Sequence, residues 1–172
     1  MIGAAELGVS LFIRFVLTDL SNLITFLPVT TEDFDALSEL RISAMKESLE
    51  RVGRFNPERA RERLKNSFYP EHSKFIVFEN RKIGFYTFRL SEGIFHLDHF
   101  YIHPDCQSLG IGSFVMRKLV STTEEKFSPI RLGALKESAS NRFYQRHGFI
   151  KLGEDDWDIY YERSVDINKN AG

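Results

Sequence analysis

The chain has 172 residues, of which 42% are hydrophobic and 27% charged, a composition typical of one globular domain with a buried core. The formal net charge of -1 gives no electrostatic basis for binding nucleic acid or an anionic membrane. The single cysteine, Cys106, excludes an internal disulfide and fits a reducing compartment, so a cytoplasmic location is predicted.

The first 23 residues precede the alternating strand and helix patterns of the predicted domain and are interpreted as an N-terminal extension. Its apolar stretch is interrupted by Arg14 and Asp19, which argues against a signal peptide or a membrane span. We expect either an amphipathic segment that packs on the domain or a start upstream of the native domain. A single domain is predicted over residues 24–163, followed by a polar tail over residues 164–172.

Strand and helix patterns follow one another through the first half of the predicted domain. A strand is expected at residues 24–29, and a helix at residues 30–50, where apolar residues recur at helical spacing. A second helix is expected up to residue 64, because Asn56 suits its cap and Pro57 its first position. Three adjacent strands with short turns predict an antiparallel meander at residues 74–79, 82–90 and 94–102.

The second half adds two helices and two strands. The helices are expected at residues 113–126 and 139–147, and the strands at residues 129–135 and 157–163. The complete order is β–α–α–β–β–β–α–β–α–β. This order predicts an α/β fold with a mixed sheet and helices on its faces.

The loop Gln107-Ser108-Leu109-Gly110-Ile111-Gly112 lies between the last strand of the meander and the next helix. The free N–H groups of a first helical turn point toward such a loop, and the helix dipole favours negative charge there. Glycine lets a backbone approach a phosphate closely because it has no Cβ atom. The arrangement predicts an anion-binding site, and the neighbouring motifs indicate which anion it binds.

Three features occur in a fixed order around this loop. The strand before it ends in Tyr101-Ile102-His103-Pro104, and the loop itself reads Gln107-x-x-Gly110-x-Gly112. Further on, the late helix and its turn read Phe143-Tyr144-x-x-x-Gly148-Phe149. Together these features resemble the GNAT superfamily of N-acetyltransferases, which use acetyl-CoA. The resemblance covers about residues 24–163 and implies the GNAT acyl-CoA N-acyltransferase fold with a splayed central sheet.

The resemblance implies that acetyl-CoA binds at the loop and along the strand before it. The loop amides would hold the pyrophosphate, while the strand would carry a bulge, splay from its neighbour and pair with pantetheine. A backbone N–H there would also stabilise the oxyanion of the thioester. The implied cofactor-binding residues are Phe100, Tyr101, Ile102, Gln107, Ser108, Leu109, Gly110, Ile111, Gly112, Ser113, Ser138 and Asn141.

The loop and the late helix depart from the family pattern at two places. Leu109 stands where the family often carries a basic residue, so Arg146 or Lys118 is expected to assist the backbone amides. The family's asparagine on the late helix usually lies six or seven residues before the tyrosine. Ser138 lies six residues before Tyr144 and Asn141 only three, and both are carried over from the family pattern.

The resemblance places Tyr144 at the family's general-acid position, where it would protonate the departing thiolate; the alternative is a core tyrosine packed beside Phe143. For the base, strand alternation places His96 and Asp98 on one face. Counting back from Gln107, both fall where family members carry such groups. Either could relay a proton, directly or through water, and the alternative is a structural polar residue. His96 is favoured because histidine titrates near neutral pH.

Other chemistries have less support in the sequence. The same alternation assigns to the opposite face the side chains of Leu97, His99, Tyr101 and His103. The titratable residues of this strand are thus divided between two faces, so no metal site is predicted. Cys106 is interpreted as an exposed loop cysteine without a base partner. No Gly-x-Ser-x-Gly motif supports serine hydrolase chemistry.

We therefore predict an N-acetyltransferase that moves an acetyl group from acetyl-CoA to a primary amine by direct attack in a ternary complex. Small amines, amino acids and protein amines all stay open as acceptors, as does a homodimer, and no nucleic-acid partner or membrane span is expected. The alternative is a non-catalytic acyl-CoA-binding sensor or interaction module; an enzyme for a longer acyl-CoA is a third option. The resemblance implies that the early helices, over residues 41–68, and the loop after the sixth strand shape the acceptor cleft. Candidate acceptor contacts are Glu47, Glu50, Arg51, Arg54 and His72.

Overall fold

The computed structural model describes residues 20–165, so residues 1–19 of the predicted extension and residues 166–172 of the predicted tail lie outside it. The strands are β1 (Ile24–Pro28), β2 (Ser73–Phe78), β3 (Arg81–Ser91), β4 (Ile94–Ile102), β5 (Ile130–Leu135), β6 (Ile150–Glu154) and β7 (Asp158–Arg163). The helices are α1 (Phe34–Arg51), α2 (Pro57–Lys65), α3 (Ile111–Glu125) and α4 (Ser140–Arg146). Within these described residues, no helix is long and apolar enough to cross a membrane.

The strands form one mixed sheet in the order β1-β2-β3-β4-β5-β7-β6, which confirms the predicted α/β fold. The predicted meander is also confirmed, because β2 pairs antiparallel with β3 and β3 antiparallel with β4. Strand β6 was not predicted from the sequence. It is an edge strand paired with β7, and four of its five residues are exposed, so it lacks the buried alternation that indicates a strand.

Two hydrophobic clusters pack on the sheet. The larger one joins α3 to the sheet through Val115, Met116 and Leu119. The smaller one joins α1 and α2 to the sheet through Leu37 and Leu64. Helix α1 contacts β3 and β4. On β5 and β7, exposed residues such as Arg131, Gly133 and Tyr160 alternate with buried ones. One face of this half of the sheet is therefore free to form a binding surface.

Strand β4 contains a bulge at Asp98. The register pairs Thr87 with His99 and Phe88 with Leu97. Asp98 is therefore an extra residue that has no opposite residue in the register with β3. Leu97 belongs to the core cluster beside α3, whereas His99 and Tyr101 lie against Phe85 on the side of α1 and α2. The prediction that His99 and Tyr101 share the face of Leu97 was wrong, because the bulge reverses the alternation.

Strands β4 and β5 separate soon after they meet. Their parallel ladder contains only the pairs Phe95–Ile130 and His96–Arg131, after which both strands continue without pairing to each other. The bulge and the splay that the family resemblance implied are therefore present. The widening gap between the two strands positions the site described next.

Candidate active site

A cleft of about 1020 Å³ opens where β4 and β5 separate. It is lined from one side by the loop before α3 and by α4, and from the other by residues of α1 and the end of α2. Twelve of the fifteen predicted site residues line it: His96, Asp98, Phe100, Tyr101, Ile102, Gln107, Ser108, Gly110, Gly112, Ser113, Ser138 and Tyr144. The fold thus gathers predicted cofactor-binding and predicted catalytic residues in one cavity.

The loop before α3 leaves backbone donors free at the helix start. Ser108 and Gly110 adopt positive φ angles of 62° and 80°, which turn the chain directly into the helix at Ile111, two residues before its predicted start. The first helical hydrogen bond runs from the N–H of Phe114 to the carbonyl oxygen of Gly110, at 3.0 Å. The three amides before Phe114 therefore have no helical acceptor, and the first turn carries no acidic side chain. This geometry suits an anion.

Three predicted cofactor-binding residues do not line the cleft. The Leu109 side chain is 53% exposed, whereas Ile111 is buried in the core with 1% exposure, so only the Ile111 backbone can serve the loop. The Asn141 amide donates to the carbonyl oxygens of Leu135 and Ser138 at 2.9 and 3.0 Å. Asn141 also accepts a hydrogen bond from the Tyr161 hydroxyl. Asn141 thus holds neighbouring backbone in place instead of facing a ligand.

The basic side chains expected to assist the loop are placed differently from each other. Arg146 lines the cleft. Lys118 does not; its ammonium lies 5.5 Å from the centre of the Phe26 ring on β1. Arg146 is therefore the one of the two that can contribute charge to a bound phosphate.

The edge of β4 that faces the gap presents backbone hydrogen-bonding groups. The N–H of His103 donates to the carbonyl oxygen of Ile83 at 2.7 Å, which directs the odd-numbered backbone groups toward β3. The backbone N–H and C=O groups of Phe100 and Ile102 therefore point toward the gap between β4 and β5. The side-chain amide of Gln107 donates a hydrogen bond to the carbonyl oxygen of Ile102 at 2.9 Å. The remaining edge groups can pair with an extended ligand.

Tyr144 lies at the junction of the cleft and the core. It packs against the rings of Phe149 and Tyr161, yet it also lines the cavity. Burial raises the pKa of the Tyr144 hydroxyl well above its usual value of 10, with the nearby Tyr101 as a smaller cause. The phenol is therefore protonated at neutral pH, as a general acid must be.

The two candidate bases differ in their surroundings. Both carboxylate oxygens of Asp98 accept from Arg89, one from Nε at 2.5 Å and the other from Nη2 at 3.4 Å. Within the described part of the chain, the His96 imidazole makes no hydrogen bond or ion pair, and it lines the cleft. His96 is therefore the freer proton acceptor of the two, and Asp98 is committed to an ion pair.

The acceptor side of the cleft contains four residues that were not named individually as acceptor contacts from the sequence, although two of them lie in the range 41–68 that was expected to shape it. Arg41 of α1, Ser67 after α2, His99 of β4 and Asp158 of β7 all line it. They come from segments far apart in sequence, and the bulge redirects His99, so no local pattern marked them. Only recognition of the bulge would have indicated His99.

The predicted acceptor contacts do not line the cleft, which is a correction to the sequence analysis. Arg51 instead pairs with Glu47 one turn earlier on α1 at 2.7 Å. Arg54 lies over the Trp157 ring. On α1 the residues that do line the cleft are Arg41, Ala44, Met45 and Ser48.

His99 is a buried titratable group on this side of the cleft. Its Nε2 lies 2.9 Å from the Ser67 hydroxyl. Burial lowers the pKa of His99 to about 4, and the nearby Arg41 charge acts in the same direction, while Asp98 opposes it. His99 is therefore uncharged at neutral pH.

Two further expectations concern Cys106 and metals. Cys106 is buried with 7% exposure, so the expectation of an exposed loop cysteine was wrong; it packs in the larger core cluster. Across residues 20–165, no group of three His, Cys, Asp or Glu side chains is arranged to hold a metal ion.

Comparisons with known proteins point to one fold. The chain resembles PaiA N-acetyltransferase from Thermoplasma acidophilum in complex with coenzyme A, with TM-score 0.61, 18% identity, and coverage of 83% of this chain and 99% of that chain. It also resembles the ribosomal-protein-S18-alanine N-acetyltransferase from Escherichia coli, with TM-score 0.62, 14% identity, and coverage of 87% and 99%.

A third solved structure is an Arabidopsis thaliana protein in complex with the bisubstrate analogue CoA-Ac-MVNAL. Its TM-score is 0.59 at 14% identity, over 83% of this chain and 99% of that chain. At such identities these likenesses establish the fold alone. No curated protein sequence matches the chain.

The sequence match is to a family model rather than to a single protein. Residues 71–151 match the model described as Acetyltransferase (GNAT) domain. This segment contains the bulged strand, the anion-binding loop and Tyr144. Residues 71–151 therefore match the GNAT acetyltransferase family, and the fold of the chain is the one seen in solved GNAT N-acetyltransferases.

Proposed function

We propose that this enzyme transfers an acetyl group from acetyl-CoA to a primary amine by direct attack in a ternary complex. The supporting observation is the single cleft at the splay of β4 and β5, which joins the free amides of α3 to the polar side chains of β4. One substrate can bind from each side of the sheet and meet the other at the gap. Acetyl-CoA supplies the reactive thioester.

The residues before and at the start of α3 would hold the CoA pyrophosphate. The amides of Ile111, Gly112 and Ser113 provide donors, and the helix dipole adds favourable charge. Arg146 contributes a positive side chain from the cleft wall. The edge of β4 at Phe100 would pair with pantetheine as an added strand.

The acceptor must lose a proton before or during attack. An alkylammonium has a pKa near 10, so only about 0.1% is free amine at neutral pH. We assign His96 as the group that accepts this proton, directly or through water, because its imidazole is free and lines the cleft. Asp98 acts through its ion pair with Arg89 by fixing the bulge.

The transfer balances with one acid and one base. The amine nitrogen forms a bond to the acetyl carbon while the carbon–sulfur bond breaks, and His96 takes the amine proton. The thiolate of the leaving CoA takes a proton from Tyr144, whose hydroxyl is held protonated by burial. When the acceptor arrives as an ammonium ion, His96 first passes that extra proton to solvent. The proton that His96 takes during attack then passes through water to the phenolate, so both side chains return to their starting states.

The acceptor is either a small amine or the amine of a peptide or protein. A peptide is part of the analogue bound to the Arabidopsis thaliana protein, and the Escherichia coli protein acts on an alanine of a ribosomal protein. In this chain the cleft opens along β7, where Tyr160 is 43% exposed. An acceptor longer than a single amino acid can extend over that surface.

Thiol release from acetyl-CoA tests the function across small amines, amino acids and peptides with free N-termini. We expect the unsubstituted enzyme to acetylate at least one of these classes of amine. The His96→Ala variant should be at least about tenfold slower, and the pH dependence of its rate should be shifted. His72→Ala is the matched control, since His72 is exposed and does not line the cleft, and the substitution is expected to leave the rate unchanged.

Two outcomes contradict the proposal in different ways. CoA binding without thiol release from acetyl-CoA or any longer acyl-CoA would indicate a binding module instead. Turnover that His96→Ala leaves intact would remove His96 from the mechanism while keeping the enzyme.

A further inference from the structure

Hydrogen-bond geometry fixes the tautomer of His99. The Ser67 hydroxyl has a single proton, and it donates that proton to the carbonyl oxygen of Arg63 at 3.0 Å, because a carbonyl only accepts. The Ser67 oxygen must then accept from Nε2 of His99, which lies 2.9 Å away. His99 therefore carries its proton on Nε2, and its Nδ1 is a bare lone pair.

That lone pair has no partner in the structure. In residues 20–165, Nδ1 of His99 is one of two buried side-chain nitrogen or oxygen atoms without a hydrogen bond. The imidazole is 6% exposed, yet it lines the cleft beside His96. A buried acceptor without a donor is unfavourable, and a ligand that supplies an N–H relieves the cost.

The charges around His99 select what kind of donor can bind. Arg41 lies close enough for its charge to lower the pKa of His99, and its Nε donates to the Tyr101 hydroxyl at 3.2 Å on the same side of β4. Asp98 acts in the opposite direction, but its carboxylate is paired with Arg89. Asp158 also lines the cleft and interacts with Arg41, but the charges that act on His99 itself are those of Arg41 and, more weakly, Asp98. The balance at His99 is therefore positive, and an uncharged donor is preferred over an ammonium ion.

We propose that Nδ1 of His99 accepts a hydrogen bond from the uncharged nitrogen of the acceptor amine, so that His99 forms the acceptor-nitrogen subsite. The inference rests on the proposed N-acetyl transfer. Donation of one N–H to Nδ1 leaves the amine lone pair free for attack on the thioester. Since Nδ1 is buried at the wall of the cleft, neighbouring side chains must move when the amine donates to it.

Nitrogen-15 NMR of histidine-labelled, CoA-bound protein tests the tautomer without any acceptor. At pH 7 we expect His99 to be neutral, with the proton on Nε2 and a bare Nδ1. A proton on Nδ1, or an imidazolium, would overturn the inference whatever the enzyme acetylates. This measurement uses the unsubstituted protein, so it decides the point even where a variant fails to fold.

Two variants then separate an acceptor contact from a purely structural role. His99→Gln can keep the donor to Ser67 but has no acceptor at the place of Nδ1, whereas His99→Asn can keep an acceptor there and loses the bond to Ser67. With the best amine of the panel, we expect His99→Gln to raise the amine KM about tenfold, the usual effect of one lost hydrogen bond. The KM for acetyl-CoA should change less than twofold, and His99→Asn should retain more amine affinity.

A structural role predicts the reverse order, with His99→Asn the more damaged variant. The reverse order, equal losses in both variants, or an equal rise in the acetyl-CoA KM would each overturn the inference. The proposed function fails separately, when the unsubstituted protein releases no thiol with any amine while the NMR tautomer is still as expected.

Discussion

The cofactor side and the acceptor side of the cleft are built in different ways. On the proposed cofactor side the donors are backbone amides at the start of α3, which follow two residues with positive φ, Ser108 and Gly110. On the acceptor side the groups are side chains of β4, such as His96 and His99, and the bulge turns His99 toward α1 and α2. A backbone site depends on local conformation, whereas a side-chain site depends on long-range register.

This difference predicts different consequences of substitution on the two sides. On the cofactor side, a substitution that changes the backbone conformation should abolish CoA binding, whatever the chemistry of the new side chain. A change of side-chain chemistry should impair catalysis or acceptor use while cofactor binding persists.

Gly110→Pro should reduce CoA affinity at least about 100-fold, because proline fixes φ near −65° and Gly110 requires φ of 80°. Isothermal titration with CoA measures the effect. Gly53→Pro is the control, since Gly53 has a φ of 67° after α1 and is not in the cleft. It should lower stability and leave CoA affinity within twofold. Unchanged affinity in Gly110→Pro would refute the backbone site.

Tyr144→Phe should lower kcat about 100-fold, the effect of losing a general acid, with CoA affinity nearly unchanged. The ring still packs against Phe149 and Tyr161. Steady-state kinetics and CoA titration give the two values. The control is Tyr86→Phe: burial raises the pKa of Tyr86 to about 12, but Tyr86 does not line the cleft. Equal losses in both variants would make Tyr144 a core residue only.

Stability should fall between about pH 6.5 and pH 4 because of His99. Burial lowers its pKa from 6.5 to about 4 in the folded state, so in this range the unfolded chain binds a proton that the folded chain does not. The stabilisation is present above pH 6.5 and is lost as the pH falls toward 4. The drop corresponds to about 3 kcal/mol at most.

Urea denaturation from pH 7 to pH 4 measures this loss. His99→Gln lacks the titrating group and should show a flatter curve over this window. The carboxyl groups with shifted pKa values, lowered in Asp33, Glu154 and Asp155 and raised in Asp158, are present in both proteins, so their contributions cancel in the comparison. Parallel curves for the two proteins would contradict a buried neutral His99.

Leu109→Arg should tighten CoA binding by about threefold, since a positive side chain beside a helix N-terminal phosphate site contributes a few tenths of a kcal/mol or more. Leu109 is 53% exposed, so the substitution needs no repacking. The gain should shrink as salt increases. Phe127→Arg, at a residue that is 63% exposed and outside the cleft, should leave affinity unchanged. A gain that persists at high salt would not be electrostatic.

The sequence by itself determined the α/β class, the meander, and the loop and late helix that resemble the GNAT motifs. These features follow from local rules, because glycine and proline punctuate the chain and apolar residues repeat with the period of a helix or a strand. The proposed cofactor side depends on the same local rules. Its donors are backbone groups of consecutive residues, from Gln107 to Ser113.

Only the tertiary structure decided the edge strand β6, the bulge at Asp98 and the residues of the acceptor side. Strand β6 exists because β7 pairs with it, not because its own pattern is apolar. The bulge exists only in the register between β3 and β4, and it moves His99 to the face opposite the one that simple alternation predicts. Arg41, Ser67 and His99 meet through packing between distant segments, which no local pattern in the sequence records.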